Sequence, residues 1–90
     1  METKPLEEIE ETVETQAPAK VILFNDEVHS FDEVIYQIIR AVRCDFEKAK
    51  ALTHQVHNYG KAVVYGGELN KCIEVSSVLE EIELMTQIEY

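Results

Sequence analysis

The alternation of hydrophobic and polar residues predicts three strands in this chain. The first, residues 20–24, is a short apolar run rich in β-branched residues, which is typical of a buried strand. Residues 61–65 have a similar composition and are followed by Gly66-Gly67, which predicts a turn that closes the second strand. Residues 82–90 alternate apolar and polar side chains with a period of two, as a strand with one buried face does.

Apolar residues spaced three and four positions apart predict three helices between these strands. The first helix follows Ser30, which forms a capping-box pattern with Glu33 and so marks a helix start. Asp45 is a suitable N-cap for the second helix, and Gly60 fits the left-handed position that ends it. The third helix covers residues 69–82 and has no clear capping residue at its start.

The order strand, helix, helix, strand, helix, strand predicts an α+β fold. We expect a two-layer sandwich in which three helices cover one face of a three-stranded antiparallel sheet. This core domain spans residues 20–90. Residues 1–19 hold six glutamates against one lysine, with two prolines and no aromatic residue. Such a segment cannot bury enough apolar surface to offset its ordering entropy, which predicts a flexible acidic N-terminal extension.

The charge and hydropathy of the chain argue against several classes of partner. The extension and the core each carry a net charge of −5, half of the total of −10. No basic cluster is available to neutralise phosphates, so we expect no nucleic-acid binding. The sequence has no secretory leader pattern and no apolar run near the roughly 20 residues that span a bilayer. We therefore expect a cytoplasmic protein without membrane contact.

Three polar residues, Asn25, Asp26 and Glu27, directly follow the first predicted strand. Asn and Asp often end strands by hydrogen bonding to their own backbone, which is one explanation for them. The next helix already has a cap in Ser30, however, so these groups have no evident structural duty. A strand-to-helix junction can hold polar groups rigidly for recognition, which makes a binding site the second explanation.

His57, near the end of the second helix, is a further polar group that can face the same point. It can also simply cap the helix carbonyls there, as basic side chains do. If it converges with Asn25 and Asp26, an amide oxygen, a carboxylate and a neutral imidazole offer three hydrogen-bond acceptors. Three acceptors suit an ammonium group. An apolar cavity beside them would bind an α-amino group that carries a hydrophobic side chain.

Catalytic and metal chemistry have little support in the sequence. His29, His54 and His57 could hold a metal together with a carboxylate, but the ligand spacing of zinc motifs is absent. No nucleophile elbow or phosphate-binding glycine loop occurs. A pair of Cys44 with a histidine would lie beside Asp45, whose charge disfavours a thiolate. We expect a protein that is not an enzyme and that needs no cofactor.

Residues 20–90 resemble the ClpS family, adaptors that deliver N-degron substrates to the ATP-dependent Clp protease. Two motifs carry this resemblance, Val21-Ile22-Leu23-Phe24-Asn25-Asp26-Glu27 and Gln55-Val56-His57-Asn58-Tyr59-Gly60-Lys61-Ala62-Val63-Val64. The order of elements and the N-terminal extension also agree with the family. The resemblance implies the same fold and a monomeric adaptor without catalytic activity.

The resemblance also implies a role for each residue at a matching position. Asn25, Asp26 and His57 would bind the free α-amino group of a substrate. A hydrophobic pocket beside them would hold an N-terminal Leu, Phe, Tyr or Trp, with a wall formed by Phe31, Thr53, Val56 and Leu84. His29 would contact the degron backbone, at a position where the family usually has Thr.

The implied partners are N-degron proteins and the N-domain of a Clp AAA+ unfoldase of the ClpA or ClpC type, which works with ClpP. Many family members dock on the unfoldase through an acid followed five residues later by Lys. Glu68 matches the acid, and Ile73 takes the position of the Lys. Phe31 and Thr53 stand where the family often has Met. The alternative is a diverged ClpS-like interaction domain that uses another surface and has lost degron binding.

Overall fold

The computed structural model describes residues 18–90, and these form the predicted α+β fold. Apart from its last two residues, the predicted acidic extension lies outside this range. The strands are β1 (Pro18–Phe24), β2 (Lys61–Glu68) and β3 (Thr86–Glu89). β1 is the central strand and pairs antiparallel with β2 on one side and with β3 on the other.

The middle of β1, residues 21–23, is buried on both faces, which explains the apolar run there. Val21 and Leu23 point to one face of the sheet and are fully buried. Ile22 points to the opposite face, where Val63 and Gln87 are its neighbours on the flanking strands, and it is also buried. The central position of β1 therefore follows from its composition.

The first two helices begin after the predicted capping residues Ser30 and Asp45, and the second ends at the predicted Gly60. Ser30 Oγ accepts a hydrogen bond from the Glu33 amide at 3.1 Å, and the Glu33 carboxylate accepts one from the Ser30 amide at 2.7 Å. Asp45 Oδ1 accepts a hydrogen bond from the Lys48 amide at 2.8 Å. The helices are α1 (Phe31–Val42), α2 (Phe46–Tyr59) and α3 (Leu69–Glu80). Within residues 18–90, none of them is long and apolar enough to cross a membrane.

The three helices pack against the face of the sheet that carries Val21 and Leu23. The buried apolar residues of both layers form one cluster, to which α1 contributes Ile38, α2 contributes Ala49 and α3 contributes Leu79. Each large apolar side chain buried in this way contributes about 1.5–3 kcal/mol of transfer free energy. The cluster holds the ends of β1 and α2 in fixed relative positions, and the candidate functional site lies there.

The turn predicted at Gly66-Gly67 is wrong, because β2 continues through both glycines to Glu68. Gly66 pairs with Lys20 and Gly67 pairs with Ala19 on β1. This pairing with the central strand outweighs the local preference of glycine for turns. It also extends β1, which begins at Pro18, two residues earlier than predicted.

The last strand is shorter than the alternating sequence predicts. α3 ends at Glu80 and a turn follows, in which Glu83 has a φ of 67°. β3 then starts at Thr86. Leu84 is nevertheless buried and Met85 exposed, so the alternation gave the correct side-chain directions. The alternation overestimated only the length of the strand, because the turn after α3 delays the start of the backbone pairing with β1.

Candidate functional site

A cavity of about 400 Å³ opens where β1 ends. The loop after β1, the start of α1, the second half of α2 and the segment before β3 surround it. Eight residues that the sequence assigns to the binding site line this cavity: Asn25, Asp26, His29, Phe31, Thr53, Val56, His57 and Leu84. The structure therefore brings together the residues of two motifs that are separated in the sequence.

Two backbone hydrogen bonds hold the end of β1 against its neighbours. The Asn25 amide donates to the Gly60 carbonyl at 2.9 Å, and the Phe24 amide donates to the Met85 carbonyl at 3.0 Å. Gly60 has a φ of 86° and directly follows the last turn of α2, which carries His57. The left-handed turn at this glycine thus brings His57 to the same end of the sheet as Asn25.

The Asp26 carboxylate organises the loop that begins at the end of β1. Its Oδ1 accepts hydrogen bonds from the amides of Val28 at 3.1 Å and His29 at 3.0 Å. Its Oδ2 lies 2.7 Å from His29 Nδ1. Burial acts to raise the pKa of Asp26, but the hydrogen bonds from His29 and Val28 outweigh it and hold the pKa below its ordinary value of 3.8. Asp26 therefore carries a negative charge at neutral pH.

His29 is paired with Asp26, an interaction that the sequence analysis did not include. The His29 side chain is only 14% exposed, and it lines the cavity beside the carboxylate. The hydrogen bond to Asp26 raises the pKa of His29 above its ordinary value of 6.5, against the opposing effect of burial. A signal was present in the sequence, since an Asp followed three residues later by His allows such a pair within one turn. The predicted degron contact of His29 stays a prediction.

Aromatic rings form one side of the cavity. The Phe31 ring lies between two histidines of α2, with its centroid 4.7 Å from that of His54 and 6.0 Å from that of His57. The His57 ring stands nearly perpendicular to Phe31, in an edge arrangement of the kind that aromatic pairs favour. Phe31 therefore holds the exposed His57 side chain at the edge of the cavity.

The deeper wall of the cavity consists of Thr53, Val56 and Leu84, all of which are buried. The Thr53 hydroxyl donates a hydrogen bond to the Ala49 carbonyl at 2.8 Å, one turn earlier in α2. Because its proton is used within the helix, this hydroxyl has no donor left for a ligand. The wall is thus suited to an apolar group.

Five further residues line the cavity, although the sequence does not assign them to the pocket or to the polar end: Leu23, Phe24, Glu27, Ser30 and Val34. Val34 lies one helical turn after Phe31, and that spacing was available as a signal. Leu23 is the last residue of β1 that points to the helices. Glu27 is exposed and adds a second carboxylate beside Asp26. The polar end of the cavity is therefore electronegative and suits a cation.

Other residues singled out in the sequence lie outside this cavity. Glu68 is exposed at the start of α3, and its side chain makes no capping hydrogen bond. Cys72 is buried, which raises the pKa of its thiol, and Cys44 is partly exposed. Among residues 18–90, no three His, Cys, Asp or Glu side chains are grouped so that they could hold a metal ion.

The sequence of this chain is similar to proteins of two kinds. The family profile described as "ATP-dependent Clp protease adaptor protein ClpS" matches residues 14–88. The human E3 ubiquitin-protein ligase UBR2 is 35% identical over 69 residues, which are 77% of this chain but 4% of UBR2. Human UBR1 is 40% identical over 53 residues, 59% of this chain and 3% of UBR1. The chain thus corresponds to a small segment of these ligases.

The fold is similar to that of ClpS2 from Agrobacterium tumefaciens, in a structure bound to L-phenylalaninamide. The TM-score is 0.68 at 23% sequence identity, and the match covers 83% of this chain and 96% of that one. This likeness establishes a shared fold. Because the ClpS profile extends over most of the sequence, from residue 14 to residue 88, the chain belongs to the ClpS family.

Proposed function

We propose that this chain is an N-degron adaptor. It binds the free α-amino group and the hydrophobic side chain at the N-terminus of a substrate protein and delivers that protein to a Clp AAA+ protease, an unfoldase of the ClpA or ClpC type with ClpP. The family to which the chain belongs is described as an adaptor of the Clp protease. The observation that carries the proposal is that one cavity joins an electronegative end to an apolar wall.

The polar end of the cavity binds the ammonium group. Asn25 and His57 contribute neutral acceptors and Asp26 contributes a charged one, so that the three N–H bonds of an ammonium each meet an acceptor. The Asp26 carboxylate has about four lone-pair directions, of which three are occupied by Val28 and His29. The direction that is left on Oδ2 is the one available to a ligand.

The apolar wall binds the first side chain of the degron. A volume of about 400 Å³ is within the range of pockets that hold small ligands, and it is sufficient for Leu, Phe, Tyr or Trp. L-phenylalaninamide, the ligand of the related ClpS2 structure, has the same two features, a free amine and a hydrophobic side chain. In this chain, four residues contact the first side chain of the degron: Phe31, Thr53, Val56 and Leu84.

Delivery uses a different surface, at the start of α3. Glu68 is exposed there and does not take part in the cavity, so that it is free to contact the N-domain of an unfoldase. Ile73 is 47% exposed on the same helix. An apolar residue at this position favours a docking contact that depends less on charge than the Lys-containing contact of many family members.

A second candidate for the delivery step is a ubiquitin ligase. The sequence identity of 35% to UBR2 and of 40% to UBR1 favours this hypothesis. Since the chain matches only 4% of UBR2, it would supply the recognition of cargo and not the ligase chemistry. Degradation assays of a Phe-initiated reporter with ClpA–ClpP, with ClpC–ClpP and with a ubiquitylation system separate the two destinations.

The binding step is tested with a fluorescent peptide that begins with Phe, the same peptide acetylated at its amine, and a peptide that begins with Gly. We expect the free Phe peptide to bind. Acetylation removes the positive charge that would pair with the Asp26 carboxylate, and losing one partner of such a charge pair costs about 2–5 kcal/mol, a loss of about thirtyfold or more in affinity. Equal binding of the acetylated peptide would contradict the proposal and support a domain that uses another surface.

A further inference from the structure

Asp26 and His29 form a hydrogen-bonded pair of side chains in the wall of the cavity. His29 Nδ1 lies 2.7 Å from Asp26 Oδ2, and the two side chains are 14% and 25% exposed. The loop also fixes the other carboxylate oxygen, because the amides of Val28 and His29 both donate to Oδ1. Three hydrogen bonds, from two backbone amides and one ring nitrogen, therefore set the direction of the carboxylate, and both the carboxylate and the His29 ring line the cavity.

The free lone pair of Asp26 lies on the oxygen that His29 contacts. A neutral His29 ring that donates from Nδ1 orients Oδ2 and leaves the full negative charge on the carboxylate. A protonated His29 ring keeps the same hydrogen bond but places a positive charge at 2.7 Å from that oxygen. An ammonium on the other side of Oδ2 then meets a carboxylate that is already neutralised.

We propose that His29 is a positioning residue for Asp26, and that a proton on His29 competes with the ammonium of the ligand for the Asp26 carboxylate. This inference rests on the proposed function, because it concerns how the same cavity binds an α-amino group. It makes degron affinity dependent on pH. Binding is strongest when His29 is neutral and weakens as the pH falls and His29 gains its proton.

The other charged groups around His29 act in known directions. On its own loop they are Asp26 and Glu27, and from α1 the Glu33 carboxylate helps to stabilise the His29 proton. From α2 the titratable group that lines the cavity is His57. The segment before β3 contributes the Ile82 backbone carbonyl, which also favours the proton, and the apolar side chain of Leu84. The carboxylates and the Ile82 carbonyl favour a charged His29, whereas the apolar side chain of Leu84 disfavours it.

The effect of protonating His57, the second histidine in the cavity, must be distinguished from the effect of protonating His29. His57 is itself an acceptor for the ammonium in the proposed function, and its protonation would also weaken binding at low pH. An affinity profile alone therefore cannot assign the effect. The pKa of each histidine, followed by its own ring resonances in the NMR spectrum, distinguishes them.

The test uses the full chain and a short peptide that begins with Phe. The imidazole resonances of His29, His54 and His57 are titrated between pH 5 and 9, without and with saturating peptide. Because binding and protonation are reciprocal, a ligand that binds tenfold less well to the protonated form lowers the pKa by about one unit. We expect such a decrease for His29 and no change for His54, which is exposed and does not line the cavity.

Two variants extend the test to affinity. His29→Gln retains an amide donor for Asp26 without a titrating group. Between pH 8 and pH 5.5, its affinity should therefore fall about tenfold less than the affinity of the unmodified chain does. His29→Ala releases the carboxylate and should bind more weakly than His29→Gln at pH 8. His54→Gln serves as the matched control and should keep the original pH profile.

Each outcome decides the inference. If peptide binds but the pKa of His29 is the same in the free and bound protein, His29 does not compete with the ligand and the inference is overturned while the proposed function stands. If His29→Ala and His29→Gln bind equally well at pH 8, the positioning role is overturned. If the peptide binds at no pH, the proposed function fails, and the inference fails with it.

Discussion

The Asp26 carboxylate stabilises its own loop and also faces the cavity. Three of its hydrogen bonds stay within residues 26–29, which is the structural explanation that the sequence offers for an Asp at a strand end. The binding explanation is compatible with it, since Oδ2 keeps one free direction. The two explanations that are alternatives in the sequence are thus compatible in one side chain, because Oδ1 is used within the loop and Oδ2 keeps one direction besides the contact with His29.

Asp26→Asn and Glu27→Gln form a matched pair of single-charge substitutions in the cavity. Asn retains an oxygen that can accept the Val28 and His29 amides, so the loop keeps its shape while the site loses its charge. We expect Asp26→Asn to weaken binding of a Phe-initiated peptide by about thirtyfold or more, as for a truncated charge pair, and Glu27→Gln to change it by less than about threefold, because Glu27 is exposed and screened. Equal losses, measured by fluorescence anisotropy, would mean that the ammonium binds the other carboxylate.

The Asp26–His29 pair makes the stability of the folded state depend on pH. His29 has a raised pKa in the folded protein, so its contribution is complete below its ordinary value of 6.5 and is lost as the pH rises through the folded-state value. Asp26 has a lowered pKa, so its contribution is present above its ordinary value of 3.8 and is lost as the pH falls through the folded-state value. The stabilisation by the pair is therefore largest between about pH 4 and pH 6.5.

Urea unfolding of the unmodified chain and of His29→Gln at several pH values tests this sign. We expect the difference in free energy of unfolding to be largest near pH 5–6 and to shrink toward pH 9. His54→Gln, which removes an exposed histidine, should give a difference with a weaker dependence on pH. A constant difference for His29→Gln across this range would show that the pair does not change its protonation on unfolding.

The pairing of Asp26 with His29 could not be derived from residue types alone. An Asp and a His three positions apart can form a turn, face opposite sides or bind separate partners. The choice depends on where the loop is anchored. In this fold, the bond from the Asn25 amide to Gly60 and the capping box at Ser30 fix both ends of the loop, and these tertiary constraints decide the pairing.

At the scale of elements, local signals predicted those boundaries that local chemistry determines. Ser30, Asp45 and Gly60 mark the ends of α1 and α2 because their caps form within a few residues. The glycines at 66 and 67 were misleading, since their pairing with a distant strand decides their conformation. The start of α3 gave no signal because Glu68 makes no capping hydrogen bond there.

Gly60 and Gly66 provide a matched test at the element scale. Gly60 has a φ of 86°, and an added Cβ would meet no atom within 4 Å, so Gly60→Ala tests the backbone conformation alone. We expect Gly60→Ala to lower the free energy of unfolding by about 1–2 kcal/mol. Gly66 has no positive φ, and its Cβ would make an ordinary contact at 3.8 Å with the Ala19 carbonyl, so Gly66→Ala should be near neutral or stabilising.

The measurement is urea unfolding of both variants beside the unmodified chain. Because the Gly60 carbonyl accepts the Asn25 amide, Gly60→Ala should also weaken peptide binding, and Gly66→Ala should not. Equal effects of the two substitutions would contradict the role given to the left-handed turn.

At the scale of the whole molecule, the acidic extension and the cavity occupy different parts of the sequence. Within the described residues 18–90, those that line the cavity lie between Leu23 and Leu84, whereas the excess of glutamates lies in residues 1–17. Half of the net charge of −10 therefore belongs to a segment that precedes all of these lining residues in the sequence, and we expect binding not to require it.

A chain that starts at Pro18 should bind a Phe-initiated peptide within about twofold of the full chain at 0.15 M salt, where charges more than about 8 Å apart are screened. The same anisotropy assay measures this, with Asp26→Asn in the shortened chain as the control for specific binding. A loss of more than about tenfold would contradict the independence of extension and cavity. Delivery to a protease, assayed with the same two chains, then reports separately on the extension.

The position of β1 also has a mechanical consequence. Its seven residues, at about 3.3 Å each, span about 20 Å from Pro18 to Phe24, and the last two of them line the cavity. A force that pulls the chain ahead of Pro18 while cargo resists at the cavity acts lengthwise along this central strand. Both neighbouring strands then resist it together in shear. If β1 slid under such a force, Asn25 would lose its hydrogen bond to Gly60 and the cavity would open, so that in the proposed adaptor the event that disrupts the sheet would also release the cargo.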